Sequence, residues 1–87
     1  MVDITGKVAI VTGSSKEIGA GIAERLAADG AYVVVNYSRS AQAAAAVVDR
    51  VVMAGGKAFA VKADISKPDE IQALIDSTLE HFGSVLI

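Results

Sequence analysis

Residues 7–19 read KVAIVTGSSKEIG, an apolar run that leads into a cluster of small and polar residues. The run at residues 8–11 is continuous rather than alternating, which is typical of a strand buried on both faces of a parallel sheet. From Ile18 onward apolar residues recur at helical spacing, and Gly30 stands where a left-handed residue commonly ends a helix. The stretch therefore predicts a strand, a loop and a helix in direct succession.

The rest of the chain repeats this alternation. A second continuous apolar run at residues 31–35 precedes the polar residues 36–40, and residues 57–63 alternate as a third strand. Residues 85–87 have the composition of the start of a fourth strand. Because strands that alternate with helices favour a parallel sheet, the sequence predicts an α/β fold with the element order βαβαβαβ.

Two further helices complete this prediction. Residues 41–54 have one apolar arc, made up of Ala44, Val47, Val48, Val51 and Val52. The last helix is predicted to start at Ser66, which with Asp69 resembles a capping box, and Pro68 would stand in its first turn and Gly83 at its end. Its apolar residues have helical spacing: Ile71, Leu74, Ile75, Thr78, Leu79 and Phe82. Its acids are expected on a solvated face: Asp69, Glu70, Asp76 and Glu80.

Composition narrows the class of protein. The 87 residues allow one domain, and a net charge of -2 gives no basic surface that would attract nucleic acid. The longest apolar run, residues 43–48, is much shorter than the about 20 residues that cross a bilayer. The absence of Cys excludes disulfides and thiolate catalysis. We expect a soluble cytoplasmic protein with no nucleic-acid partner, no membrane span and no metal site.

The loop after the first strand carries the most specific motif. Residues 12–19, TGSSKEIG, have a spacing that resembles T-G-x-x-x-G-x-G, the signature of the short-chain dehydrogenase/reductase family. The loop is neither a Walker A sequence nor a G-x-G-x-x-G fingerprint. Further segments are similar to the family at the matching places along the chain: residues 6–13, 36–37, 54–58, 63–66 and 81–83. The resemblance covers nearly the whole chain and implies a nicotinamide dinucleotide site.

The resemblance also implies an architecture. Residues 1–87 would form a single truncated Rossmann-type dinucleotide-binding domain, a three-layer fragment with strand order 3-2-1-4. The family's catalytic Ser, Tyr and Lys lie on later elements, so we assign no catalytic residue to the chain and expect it to be inactive alone. One sheet face and the edge of the fourth strand would be bare, which predicts a homodimer or another homo-oligomer.

Residue roles follow from the resemblance position by position. Gly13 would form the tight turn, Ile18 would direct its N–H at the pyrophosphate, and Gly19 would allow close helix packing. The phosphate side of the loop would be lined by Ser14, Ser15 and Lys16. Asp64 and Ile65 would border the adenine, with the Asp64 carboxylate accepting a hydrogen bond from the adenine amino group.

The end of the second strand favours one of the two nicotinamide cofactors. NAD sites usually place a carboxylate there to hold the ribose hydroxyls, and that carboxylate would repel a 2′-phosphate. Residues 36–40 contain no acid: Asn36, Tyr37, Ser38, Arg39 and Ser40. Arg39 offers phosphate a planar pair of donors, and Lys16 adds a positive charge from the loop opposite. We therefore expect NADP(H) rather than NAD(H), with residues 36–39 at the cofactor.

Other residues that often act in catalysis have structural explanations here. His81 lies in the last turn of a predicted helix, where the helix dipole favours a cation, so we expect a structural role. Neither Tyr32 nor Tyr37 has a Lys four positions later, as the family's catalytic Tyr-x-x-x-Lys motif requires.

One position departs from the family pattern. Glu17 occupies the place of the second glycine of the signature, where a Cβ would crowd the backbone and a carboxylate would oppose the phosphates. Two alternatives therefore stay open. The chain could be an excised or engineered Rossmann scaffold that folds and self-associates without nucleotide, or an unrelated doubly wound protein such as a phosphate-binding regulator.

Overall fold

The computed structural model of the 87-residue chain describes residues 4–12 and 17–83, and of residues 17 and 18 only the backbone. Strands and helices alternate along these residues. In chain order the elements are β1 (Val8–Val11), α1 (Glu17–Ala28), β2 (Tyr32–Tyr37), α2 (Ala41–Met53), β3 (Lys57–Lys62) and α3 (Pro68–Phe82). They agree in type and order with the first six elements that the sequence predicts.

The three strands form one parallel sheet in the order β1-β2-β3. Val8 pairs with Tyr32, and Tyr32 pairs with Lys57, so all three strands start at the same edge of the sheet. This order agrees with the 3-2-1 portion of the predicted order 3-2-1-4. The predicted fourth strand at residues 85–87 lies outside the described residues.

Helices cover both faces of the sheet and give the chain three layers. On one face, Val33 and Val35 of β2 pack against small buried residues of α1 and α2, namely Ala20, Ala23, Ala27, Ala44, Val47 and Val51. On the other face, Leu74 of α3 packs with Ile10 and Val34. Residues 33–35 have no exposed surface at all, as expected for a strand buried on both sides. The predicted α/β class is confirmed.

A glycine in the left-handed conformation ends α1. Gly30 has φ of 99°, and a Cβ at this position would lie 3.0 Å from the Thr5 hydroxyl oxygen. The N–H groups of Gly30 and Ala31 donate to the carbonyls of Ala27 and Leu26 and so satisfy two acceptors at the helix end. The predicted helix stop at Gly30 is confirmed.

The strand β2 is longer than its apolar run. That run ends at residue 35, and Asn36 and Tyr37, which the family resemblance places at the close of the second strand, continue the ladder by pairing with Val61 and Lys62 of β3. Asn36 is buried even though it is polar, because its amide group donates to backbone carbonyls of the neighbouring segment. Hydrogen bonding makes this burial compatible with a strand.

The start of α3 contradicts the predicted capping box. Lys67 rather than Ser66 is the residue at the N-cap, and its side chain makes no capping hydrogen bond. The Ser66 hydroxyl donates instead to Asp64 Oδ1 at 2.6 Å. Pro68 at the first helical position and Gly83 in the left-handed conformation at the end agree with the prediction.

The helix α2 buries a narrower arc than predicted. Ala44, Val47 and Val51 are buried, whereas Val52 is 53% exposed and lies outside the core. At its start, the Ser40 hydroxyl oxygen accepts a hydrogen bond from the helix backbone.

The expected bare sheet face is not seen on β1. Val8 and Ile10, which point to the α3 side, are only 2% and 9% exposed. The large exposed apolar side chains on this side belong to α3 itself, at Ile71 and Leu79. Within residues 4–12 and 17–83, no helix is long and apolar enough to cross a bilayer, and no group of acids and histidines could hold a metal ion.

Candidate functional site

The candidate site lies where β2 and β3 end. The two strands are paired as far as Tyr37 and Lys62, so the segments that follow, residues 38–40 and 63–67, leave the sheet at one edge. In open parallel sheets, ligands bind at this carboxyl edge, because the loops there border a crevice. The side chains of these two segments therefore decide what the edge can bind.

Asp64 is held by short hydrogen bonds at this edge. Its Oδ1 accepts from the Ser66 backbone N–H at 2.9 Å and from the Ser66 hydroxyl at 2.6 Å. These two bonds lower the pKa of the Asp64 carboxyl, and the positive charges of Lys67 and Arg39 lower it further. The carboxylate is therefore ionised at neutral pH, where it can only accept hydrogen bonds.

Glu70 makes a contact that its helical pattern does not predict. Its Oε1 accepts a hydrogen bond from the backbone N–H of Asp64 at 2.9 Å, and its Oε2 lies 3.7 Å from the Lys67 ammonium. The helical pattern predicts Glu70 on a solvated face. The missed signal is its position as the third helical residue, from which a glutamate can reach back to a free backbone N–H.

Asn36 is buried near the end of β2, beneath the exposed residues of the candidate site. It is 3% exposed, and its side-chain nitrogen donates to the carbonyls of Ala63 at 3.2 Å and Val61 at 3.4 Å. Its amide therefore ties the end of β2 to the segment that leads into Asp64.

The residues after Asn36 are progressively more exposed. Tyr37 is half-buried and packs on the core formed with α1 and α2, whereas Ser38 and Arg39 are exposed. The positive charge of Arg39 makes a small contribution to the lowered pKa of Asp64. Ile65, next to Asp64, is 48% exposed and adds an apolar surface to the same edge.

The loop after β1 lies largely outside the described residues. This applies to four predicted phosphate-binding residues: Gly13, Ser14, Ser15 and Lys16. The backbone of Ile18 lies in the first turn of α1, where N–H groups have no partner within the helix and favour an anion. Gly19, in the same turn, is half-buried.

Comparison with known proteins identifies the family. Residues 7–87 match the family described as short chain dehydrogenase. The chain belongs to this family. An uncharacterized oxidoreductase of Methylorubrum extorquens and glucose 1-dehydrogenase 2 of Bacillus subtilis are each 52% identical to it over 83 residues, 95% of the chain.

Solved short-chain dehydrogenases have the same fold. A short chain dehydrogenase from Burkholderia cenocepacia J2315 in complex with NADP matches 97% of this chain at 44% identity with a TM-score of 0.89. A dehydrogenase/reductase from Sinorhizobium meliloti 1021 matches 95% of it at 43% identity with a TM-score of 0.92. The chain spans about a third of the length of these proteins and of the curated relatives. The Rossmann-like fold of an oxidoreductase family that uses nicotinamide cofactors is therefore established.

The only His and one of the two tyrosines of this short-chain dehydrogenase lie at the opposite edge of the sheet. The His81 ring stacks on Phe59 with 4.0 Å between centroids, and Phe82 packs against both rings. Tyr32, the first residue of β2, contacts Phe82 and lies beneath the Lys57 ammonium. This aromatic cluster fixes the end of α3 on the sheet, in keeping with the structural role expected for His81.

Proposed function

We propose that this chain is the NADP(H)-binding part of an oxidoreductase that interconverts carbonyl and alcohol groups. When bound, the cofactor supplies or accepts the hydride. The observation that carries the proposal is the pair of charges at the carboxyl edge of the sheet. Exposed Arg39 follows β2, the Asp64 carboxylate follows the neighbouring strand β3, and no acid lies between β2 and α2.

Asp64 and Ile65 suit the adenine end of the cofactor. The hydrogen bonds of the Asp64 carboxylate to other described residues fall on Oδ1, which leaves Oδ2 for the adenine amino group. Because the carboxylate is ionised, it favours a ligand atom that donates. The half-exposed Ile65 side chain offers an apolar contact to the flat face of the ring.

The end of β2 suits a 2′-phosphate. Arg39 and Ser38 are exposed donors, and a guanidinium binds phosphate through two parallel hydrogen bonds. A carboxylate at this place would select NAD(H) instead, and residues 36–40 have none. Asn36 and Tyr37 border this end of the site from the last positions of the strand.

The remaining phosphates would meet the loop after β1. Gly13 would provide its tight turn, and the phosphate side would be formed by Ser14, Ser15, Lys16 and the N–H of Ile18. Gly19 would allow α1 to pack closely enough for its first turn to reach the cofactor. Glu17 opposes this binding by charge, so we expect an affinity lower than that of a relative with glycine at this position.

Hydride transfer also needs groups that we place outside residues 1–87. A carbonyl reduced by NADPH must receive a proton on its oxygen, and the family's Ser, Tyr and Lys would supply and position that proton. We treat residues 1–87 as one dinucleotide-binding domain and expect this chain alone to bind cofactor without turning over a ketone.

Calorimetric titration with NADPH and NADH tests this proposal. The parent chain is expected to bind NADPH more tightly than NADH. Arg39→Ala should weaken NADPH binding about tenfold, which corresponds to about 1.4 kcal/mol, and should leave NADH binding unchanged. Arg25→Ala removes an exposed arginine from the opposite end of α1 and serves as the matched control. Equal losses for both cofactors, or for both variants, would contradict the assignment of Arg39 to the 2′-phosphate.

The alternative is a scaffold that folds and self-associates without nucleotide. Glu17 and the exposed apolar residues Ile71 and Leu79 favour it. A folded parent chain that gives no heat with either cofactor would support the scaffold. We also propose a homo-oligomer in the cytoplasm, and sedimentation of the chain over a range of concentrations tests the oligomer in either case.

A further inference from the structure

Asp64 and Ile65 stand at the start of a turn that α3 holds in place. The Asp64 backbone N–H donates to Glu70 Oε1 at 2.9 Å, and the Asp64 carbonyl accepts from the Lys67 N–H at 3.0 Å. The hydrogen bond to the Asp64 carbonyl joins two backbone groups of the turn. The hydrogen bond to Glu70 instead joins the turn to a side chain of α3.

This bond holds the N–H side of the peptide group between Ala63 and Asp64, whose carbonyl accepts from the Asn36 amide at 3.2 Å. That peptide lies directly before the carboxylate and the Ile65 side chain, so its orientation sets the direction of both. If Glu70 could not accept, the N–H would need water as a partner, and the peptide would be held on its carbonyl side alone, by the Asn36 amide. A ligand that binds only one orientation of the Asp64 and Ile65 side chains would then bind more weakly, because part of its binding energy would be used to order the turn.

The position of the Glu70 carboxylate is itself restricted, so it can keep the Asp64 N–H in one orientation. It is the third residue of α3 and only partly exposed, and the Lys67 ammonium lies 3.7 Å from its second oxygen. A carboxylate in the first helical turn is also favoured by the helix dipole. The acceptor is therefore fixed to a rigid element rather than to a loop.

We infer that Glu70 is a positioning residue that orients Asp64 and Ile65 for the adenine end of the nucleotide. This inference rests on the proposed function. Glu70 acts through the Asp64 N–H and does not contact the ligand. An acceptor oxygen is required at this position, and a negative charge is not.

Three variants separate the acceptor from the charge. Glu70→Ala removes both, Glu70→Gln keeps an acceptor oxygen, and Asp69→Ala removes the neighbouring acid of the same helical turn. The probes are NADPH and adenosine 2′,5′-bisphosphate, which contains the adenine end alone. Amide hydrogen exchange at Asp64 reports the bond directly, without a ligand.

We expect Glu70→Ala to weaken both probes by about tenfold and to raise Asp64 amide exchange by at least as much. Glu70→Gln and Asp69→Ala should stay within about threefold of the parent in both measurements, a margin of less than 1 kcal/mol. Thermal unfolding of each variant shows whether weaker binding comes from a less stable fold. We expect all three variants to be folded at the temperature of the titration.

Two results would overturn the inference: equal binding by Glu70→Ala and the parent, or equal losses in Glu70→Gln and Glu70→Ala. Failure of the proposed function has a different signature. The parent itself would then bind neither probe, and Glu70 would be left as a residue that stabilises the turn alone.

Discussion

The side-chain nitrogen of Asn36 lies 3.2 Å from the carbonyl oxygen of Ala63 and joins the end of β2 to the turn after β3. The same nitrogen is 3.4 Å from the carbonyl of Val61, so one amide group serves two acceptors of the neighbouring chain segment. The contact with Ala63 is buried and the one with Val61 is partly buried, and Asn36 itself is only 3% exposed. A donor is therefore required at this position.

Asn36→Asp should destabilise the chain at neutral pH. The introduced carboxylate cannot donate and would face two carbonyl oxygens, at a cost of about 1–3 kcal/mol for an unsatisfied buried group. Burial would raise its pKa in the folded state, so protonation restores a donor and the loss should shrink as the pH falls. Urea unfolding at pH 7 and pH 4.5 measures the effect. Gln42→Glu makes the same chemical change at an exposed position of α2 and should be close to neutral.

Ser66→Ala should raise the pKa of Asp64 toward the ordinary aspartate value of about 4. The hydroxyl of Ser66 is the largest cause of the lowered pKa, and its hydrogen bond to Oδ1 is 2.6 Å long. A lowered folded-state pKa stabilises the fold above the ordinary value, and that contribution is lost as the pH falls through the folded-state pKa. The stability difference between parent and variant should therefore be complete above about pH 4 and disappear in stronger acid.

An NMR titration of the Asp64 carboxyl checks this prediction. Ser66→Thr keeps the hydroxyl donor and is expected to keep the pKa low. If alanine and threonine shift the pKa equally, the hydroxyl bond is not its cause, and the backbone N–H of Ser66 would account for the lowered value.

Elements with a local signal were predictable from the sequence. The continuous run at residues 8–11 predicts β1 with its observed boundaries, and Gly30 and Gly83 mark the ends of α1 and α3. These signals depend on backbone conformation and on residues near in sequence. Burial of both sheet faces follows from the same patterns, as residues 33–35 illustrate.

The individual hydrogen bonds of the candidate site were not predictable in the same way. Asn36 continues β2 because its amide meets Ala63, which is 27 residues away. Ser66 does not cap α3: Lys67 is the N-cap residue, and the Ser66 hydroxyl donates to Asp64 instead of accepting from a helix N–H, which the sequence pattern does not decide. Glu70 was placed among solvated acids although one of its oxygens holds a backbone N–H. The site thus has predictable residue types, but its internal hydrogen bonds depend on tertiary geometry.

Two glycines should respond oppositely to alanine. A Cβ at Gly21, on the exposed side of α1, would meet no atom within 4 Å, so Gly21→Ala should stabilise the chain by about 0.5–1 kcal/mol through helix propensity. A Cβ at Gly56 would lie 2.9 Å from Val51 Cγ1 and 3.2 Å from the Val51 carbonyl. Since Val51 is buried, Gly56→Ala should cost about 1–3 kcal/mol. Urea unfolding measures the stability of both variants, and a change of the same sign in both would contradict the prediction.

Glu17→Gly should tighten the binding of NADPH. Glu17 is the first residue of α1 and occupies the position of a glycine in the family signature, so the sequence adds a negative charge at a helix end that otherwise favours phosphate. Removing a like charge from an anion site should improve affinity about three- to tenfold, or about 0.7–1.4 kcal/mol. Glu17→Gln removes the charge but keeps the Cβ, so it should show only the electrostatic part of the gain in NADPH affinity. Calorimetry at low and high salt compares the three chains. Equal or weaker affinity of Glu17→Gly would refute the repulsion, and a gain that persists undiminished in high salt would assign it to the Cβ instead.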